Sequence, residues 1–514
     1  MSERYLVDVK ELLKPFNPWW SDPEWYKKDP LIYEYQGGSF KFTSRLHFHI
    51  VKNIVKQRKY GIITIRGPRR AGKTTLIKAL IMSLLKDYRI NPDDIYYVSL
   101  DYDGLKDVKL FQLLKAISEQ GEGEKYVFLD EASMYSGWAL ELKNAYDTDL
   151  ILRGRLKIVA TGSHSMDLAE AAEKLRGRQG SLAKEFNLGG NLLFTPLRFP
   201  EVVEGVREEI RQLLDKGRRR RVKTRFEALM ALRNGEIPNE LRELYDQFFE
   251  ILSELFENYL VHGGYPKAVK EFYEKGGIDS NFYSDVAELL IKDSKRADLD
   301  PDILKKILSE LVEPKKLSGI LDSSSLADLV RNLDRQEIDR YLRYLASTWA
   351  FFFSYRESKR SICKPNYQGQ QKLYVLDPFI FHAVYSYIHN VPDPFETSKK
   401  IVEREEHRGL FVENVVGSHL ILSQQLFAHV SHVNYDKVLM YGIRDQEVLR
   451  EVDFILCINR ENELHRIVIE SKYRRKVLRQ PTLQNTVVLT KDTLNADKER
   501  KVTYIPAPIF LMLF

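Results

Sequence analysis

The segment Gly67-Pro68-Arg69-Arg70-Ala71-Gly72-Lys73-Thr74-Thr75 constrains this chain more than any other. It follows the apolar run Ile62 to Ile65 and opens the helical stretch Thr74 to Leu85, so a GxxxxGK[ST] string sits between a strand and a helix. At ordinary residue usage such a string arises by chance in about two chains in a hundred of this length. A plain glycine turn is the alternative reading, and it does not ask for a strand and a helix on its two sides. The glycines let backbone N–H groups turn inward on phosphates, and the helix N-terminus adds a favourable dipole. Lys73 is placed to meet the β- and γ-phosphates of ATP, and Thr74 to offer its hydroxyl to Mg²⁺.

A phosphate site of this kind needs an acid-ended strand, and Lys125-Tyr126-Val127-Phe128-Leu129-Asp130-Glu131 supplies one. Asp130 is expected to hold Mg²⁺ through water, and Glu131 to polarise an attacking water as general base. The next apolar run ends Ala160-Thr161-Gly162-Ser163, where Thr161 or Ser163 either contacts the γ-phosphate or the water, or only shapes the turn. Arg176 and Arg178, in Leu175-Arg176-Gly177-Arg178, are candidates for an arginine finger reaching a neighbouring subunit's phosphate. Further runs at Ile95 to Leu100 and Leu192 to Phe194 alternate with helical stretches, which implies a parallel sheet covered on both faces.

The chain's 514 residues correspond to roughly three domains. A net charge of +6 is small against 79 basic and 73 acidic side chains, so it says little about a polyanionic partner. No apolar run approaches a membrane span, and no membrane partner is expected. The terminal run Ala507 to Phe514 reads as a buried final strand. Cys363 and Cys457 stand far apart and outside metal-ligand spacing, so no disulfide is expected and a reducing cytoplasm fits. The aromatic, Pro-rich beginning (Asn17-Pro18-Trp19-Trp20, Trp25, Tyr26) reads as an irregular arm over a core, residues 1–55.

After Pro196 the chain turns helical for about a hundred residues. This stretch includes the basic run Lys216, Arg218 to Arg221, Lys223 and Arg225, either a solvated helix face or a binding groove. Next come expected helices at Ile303 to Leu311, Ser325 to Val330 and Gln336 to Leu345, then an aromatic strand at Trp349 to Phe353. That order is the order of a winged helix-turn-helix, with Arg331, Arg335, Arg340 and Arg343 available to touch DNA. Winged helices also serve as protein adaptors. A last block carries the helix His407 to Ser423 and strands near Val438, Val448 to Cys457, Arg466 to Glu470 and Thr486 to Leu489.

Together these strings resemble the archaeal and bacterial ATPases of the AAA+ superfamily that carry a winged helix and a C-terminal PD-(D/E)XK nuclease-like domain. The resemblance rests on GPRRAGKTT, FLDEAS with Trp138 soon after, TGSHS followed by LRGR, PLRFPEVV (Pro196 to Val203), HGGYPKAV (His262 to Val269), YVLDP (Tyr374 to Pro378) and a C-terminal carboxylate set. It implies an α/β fold with a P-loop αβα parallel-sheet ATPase core at 56–200 and a helical lid at 201–300. A winged helix at 301–395 and a restriction-endonuclease-like α/β domain at 396–514 complete the expected order. It further implies a homo-oligomer, with a hexameric ring favoured, a role on DNA, and Arg178 as the finger. The long basic insert around Lys216 to Arg225 departs from the pattern.

In the carboxylate set, period-two alternation puts Glu470 and Lys472 on one face of their strand. The resemblance implies that Asp453 and Glu470 bind Mg²⁺ or Mn²⁺ with the Ser471 carbonyl. Glu413 then assists, and Lys472 orients or deprotonates the water that attacks a phosphodiester. A plain Glu-x-Lys surface ion pair is the alternative, as is a degenerate domain that binds DNA ends without cutting. Two functions follow: an ATP-driven motor or remodeller of DNA junctions or ends with a nuclease-like domain, or an ATP-state-dependent switch or scaffold whose winged helix recruits a protein.

Overall fold

A computed structural model of the chain describes residues 8–37, 45–162, 174–175, 177–215, 222–321, 326, 333–428, 434–445, 450–473 and 484–514. Two compact units divide at Thr195 and Pro196.

The first unit is built on a parallel sheet of β1 (Gly61–Arg66), β2 (Ile95–Ser99), β3 (Lys125–Asp130), β4 (Leu156–Gly162) and β5 (Asn191–Leu193), in the order β2-β3-β4-β1-β5. Strand alternation divides its apolar side chains between two cores. Ile62, Val127 and Leu129 pack with Leu110, Leu114 and Leu142 on one face, whereas Ile63, Ile65 and Phe128 pack with Ile77, Leu80 and Leu84 on the other. Burying each such side chain stabilises the unit by about 1.5–3 kcal/mol, which is why the sheet needs helices on both faces. Since β2 is an edge strand, its exposed backbone groups need partners. The N-terminal arm provides them. The Asn17 side chain accepts from Tyr97 N at 2.7 Å and donates to Tyr97 O at 2.8 Å, and the indole N–H groups of Trp19 and Trp20 both donate to Ile95 O.

The second unit holds a nine-stranded sheet. Its strands are β6 (Ile320–Leu321), β7 (Phe351–Arg356), β8 (Gln371–Val375), β9 (Leu439–Asp445), β10 (Arg450–Arg460), β11 (Glu463–Ser471), β12 (Thr486–Thr490), β13 (Asn495–Asp497) and β14 (Val502–Pro506), ordered β13-β14-β12-β11-β10-β9-β7-β8-β6. The parallel pairing of β7 with β9 joins strands from the block expected to be a winged helix to those of the block expected to be nuclease-like. One sheet therefore runs across the boundary expected near 395. The helix Arg335–Ser347 starts at a capping box, Asp334 accepting from Glu337 N while Glu337 accepts from Asp334 N. Ile338, Tyr341, Leu342 and Leu345 are buried, and Arg335, Arg340 and Arg343 are exposed. Of the expected helix Ser325 to Val330, only Leu326 lies within the described residues, and Arg331 lies outside them.

Two expectations are corrected. The terminal run is not a strand: β14 ends at Pro506 and Ala507–Leu511 is a helix, buried throughout. Pro508 in its first turn has the pre-set φ that suits a helix start, and full burial removes the alternation that marks a strand. Cys363 and Cys457 are bonded to each other, their Cα atoms 5.9 Å apart across a sequence separation of 94. The turn after β7 folds back over β10, a proximity that spacing along the chain does not reveal. Among the described residues, no helix is long and apolar enough to cross a membrane.

Candidate functional site

The phosphate loop leaves β1 at Arg66 and enters the helix Lys73–Lys86. Gly67 has no room for a side chain, because a Cβ there would lie 1.7 Å from Phe194 O beyond β5. Arg70 (φ 63°) and Gly72 (φ 100°) adopt left-handed conformations, which turn successive N–H groups toward one concave side. The first-turn N–H groups of the helix, from Lys73 to Thr75, are those a helix cannot satisfy internally. Lys73 is 6% exposed, its ammonium donating to Gly67 O and Pro68 O at 3.0 Å each. Burial pulls its pKa down from the ordinary 10.5 to about 8, with Glu131 and Asp130 opposing that fall and Arg69 adding to it. A buried cation facing two carboxylates at the mouth of an N–H-lined loop fits a nucleotide's phosphates.

Asp130 ends β3 in full burial and is held from three sides. Tyr97 OH donates to Oδ2 at 2.8 Å, Thr161 donates its hydroxyl to Oδ1, and the Glu131 amide reaches Oδ1 at 3.1 Å. The Thr161 hydroxyl is thereby committed to Asp130. Tyr97 escaped the reading of the sequence: its signal was a tyrosine inside the apolar β2 run, one strand away from the acid-ended strand. Asn17 fixes the backbone of that same tyrosine, so the arm, Tyr97 and Asp130 form one chain of hydrogen bonds. Glu131 takes a left-handed conformation (φ 50°), an unfavourable backbone state of the kind that collects at working sites.

Arg178 pairs with Asp147 at 2.8 Å and is partly exposed. Ser163, Arg176 and the basic residues 216–221 lie outside the described residues. Of the remaining basic run, Lys223 pairs with Glu227 and Arg225 is buried with its guanidinium on Phe514 O.

In the second unit, Asp453 and Glu470 come from neighbouring strands and share Lys472, whose ammonium lies 4.0 Å from one and 3.7 Å from the other. The Ser471 amide donates to Asp453 Oδ2 at 2.7 Å. Glu413 is held by Lys372 at 3.0 Å and by Tyr374 OH at 3.2 Å, two partners the sequence reading did not single out. Among the described residues, no three His, Cys, Asp or Glu side chains converge to hold a metal ion. The expected metal pair, Asp453 and Glu470, stands on neighbouring strands beside Lys472, while Glu413, expected to assist, is held by Lys372 and Tyr374.

The Lys73 environment makes nucleotide affinity depend on pH. Phosphate favours the charged ammonium, so binding above pH 8 requires proton uptake, whereas below it the proton is already present. Affinity should stay level to about pH 8 and then fall by up to about tenfold per unit. Titration calorimetry at pH 9 in buffers of different ionisation heats should register the uptake, and proton-neutral binding at that pH would mean that burial does not depress Lys73 in the free chain.

The family model for an AAA domain matches residues 59–203, and that for a domain of unknown function, DUF8612, matches residues 253–390. The chain is 26% identical over 298 residues to the uncharacterized protein MJ1637 of Methanocaldococcus jannaschii, a match spanning 56% of this chain and 56% of that protein. Among solved structures, the Walker-type ATPase PABY2304 of Pyrococcus abyssi has a TM-score of 0.41 and 16% identity, covering 67% of this chain and 95% of that one. The Orc1 protein of Aeropyrum pernix, solved in complex with DNA, has a TM-score of 0.29 and 12% identity, covering 69% and 92%. Phosphate loop, acid-ended strand and the sheet that carries them thus fall within a stretch that matches an AAA domain, the ATPase class built on this core.

Proposed function

We propose that the chain hydrolyses ATP in its first unit and uses the nucleotide cycle to act on DNA. The observation that carries the first half is the buried Lys73 facing Asp130 and Glu131 at the mouth of the phosphate loop. Lys73 and the loop amides bind and orient the phosphates, Thr74 and Asp130 are the residues that would hold Mg²⁺, and Glu131 takes the proton of the attacking water. The ion, when bound, draws charge from the terminal phosphate. Arg178 acts as a finger in a ring of subunits, hexameric on this reading, and exchanges Asp147 for a neighbour's phosphate. Ser163 belongs to the same proposed set.

For the second half, exposed Arg335, Arg340 and Arg343 on a helix whose other face is buried support a winged-helix-type contact with DNA. The grouping of Asp453, Glu470 and Lys472 supports a nuclease-like end to the chain. One observation favours a second reading, in which that end binds DNA or scaffolds without cutting. Glu413 already pairs with Lys372 and accepts from Tyr374 OH.

Assays of ATP turnover and strand cleavage with duplex, single-stranded, forked and four-way DNA separate these readings. DNA is expected to stimulate turnover in the unmodified chain, and Arg340→Ala with Arg343→Ala to remove the stimulation while basal turnover stays unchanged. Turnover indifferent to every DNA would move the chain to the switch class. Any nicking in Mg²⁺ or Mn²⁺ must vanish in Asp453→Ala, and nicking that persists there would place the chemistry elsewhere.

A further inference from the structure

The turn joining β7 to β8 projects three exposed cations, Lys359, Arg360 and Lys364, and none of them forms an ion pair among the described residues. Between the cations stands Ile362 at 69% exposure, and just beyond them Tyr367 at 52%. A run of unpaired positive charge interleaved with an aliphatic and an aromatic side chain has the chemistry of a nucleic-acid contact, with cations for phosphates and a ring for a sugar or base.

The shape of this turn is imposed rather than intrinsic. Its base is tied by Ser358 N to Lys364 O at 2.7 Å and by Asn366 N to Arg356 O at 2.8 Å. Glu357 accepts a bidentate pair from Arg466 of β11 at 2.9 and 2.7 Å, and also accepts from Cys363 N. At its centre Cys363 adopts a left-handed conformation (φ 56°) that an L side chain disfavours, and the bond to Cys457 of β10 holds it there. The Tyr367 ring meets the ring of Tyr355 on β7 edge-on at 4.9 Å, which anchors the far side of the turn on the sheet.

We propose that this turn is a second phosphate-backbone contact for DNA, and that the Cys363–Cys457 bond gates it. The proposal rests on the DNA reading above and names the surface and its control. A dithiol reductant breaks the S–S bond by supplying two electrons and two protons. Two thiols form on the chain, and the reductant closes its own disulfide. Released from β10, Cys363 leaves its left-handed conformation and the three cations lose their fixed spacing.

The test measures duplex DNA binding by the full chain, by fluorescence anisotropy over a salt series, before and after dithiothreitol. Oxidised chain should bind with a steep salt slope. Lys359→Ala, Arg360→Ala and Lys364→Ala together should lower that slope by about 2.7, at about 0.9 per lost contact. Dithiothreitol should weaken binding by the unmodified chain several-fold, and reoxidation should restore it. Cys363→Ser with Cys457→Ser should bind like the reduced chain and ignore the reductant. Circular dichroism checks that this double variant folds; if it does not, the charge variant and the reversible reduction decide. An unchanged salt slope in the charge variant, or binding indifferent to reduction, overturns the proposal and leaves the DNA reading standing on Arg340 and Arg343. Oxidised chain that binds no DNA overturns both. Loss of binding to anionic phospholipid vesicles, with DNA binding intact, would assign the turn to a membrane surface instead.

Discussion

Glu131→Gln is expected to lower ATP turnover by about a hundredfold to ten-thousandfold while leaving ATP bound. The amide keeps the volume and the left-handed backbone of Glu131 but cannot take a proton from water. Phosphate recognition lies elsewhere, in the loop amides and in Lys73, so affinity should survive. Lys73→Ala should do the reverse, removing the buried cation that faces the phosphates and with it most of the binding. Steady-state turnover and equilibrium binding of a fluorescent ATP analogue separate the two effects. Equal losses of affinity in both variants would mean that Glu131 shapes the loop rather than acting on water.

The second large effect concerns motifs of the resemblance that lie in the second unit, apart from the phosphate loop. His262-Gly263-Gly264, Leu197-Arg198-Phe199 and Leu376-Asp377-Pro378 meet in one buried knot of the second unit. Leu197 and Gly264 are bonded at 2.8 Å, Tyr259 OH donates to Leu197 O at 2.9 Å, and Asp377 accepts from Gly264 N at 2.7 Å and from Phe379 N at 2.9 Å. His419 Nε2 accepts from Phe199 N at 3.0 Å, which requires its proton on Nδ1, pointing to Val415 O. A Cβ on Gly264 would lie 1.8 Å from Leu197 O and 2.7 Å from Leu197 C, a collision with backbone that no rotamer change relieves. Gly264→Ala should therefore cost at least about 3 kcal/mol, read from the denaturant midpoint of the second unit's transition. Gly409, inside the helix Glu405–Phe427 with nothing within 4 Å of its Cβ position, gives the opposite sign. Gly409→Ala should stabilise by about 0.5–1 kcal/mol. Equal effects at the two sites would contradict the knot.

The contrast between the two units explains what was legible in the sequence. The strand, phosphate loop and helix from Gly61 to Lys86 are contiguous, so their chemistry and order could be read directly. Asp130 and Glu131 were legible for the same reason. Tyr97 was not, because its acid lies 33 positions away and only strand order brings them together. The Cys363–Cys457 bond and the β7–β9 pairing depend on how a long segment returns to its starting sheet. In the terminal run, uniform burial erased the periodicity that tells strand from helix, and the prolines Pro506 and Pro508 were the overlooked signal. Glu413 shows the limit at the candidate nuclease-like site. Its place on a helix before the acid-bearing strands was readable, but its capture by Lys372 and Tyr374 required the fold.

The central claim is that the loop from Gly67 to Thr75, Asp130 and Glu131 form one ATP-hydrolysing site. A single-turnover experiment tests it most directly: Glu131→Gln chain is mixed with radiolabelled ATP and Mg²⁺, separated from free nucleotide, and its bound nucleotide followed over time. The account predicts one ATP retained per chain and still intact after the unmodified chain has converted all of its own to ADP. Conversion at the unmodified rate, or no nucleotide retained by either chain, would contradict it.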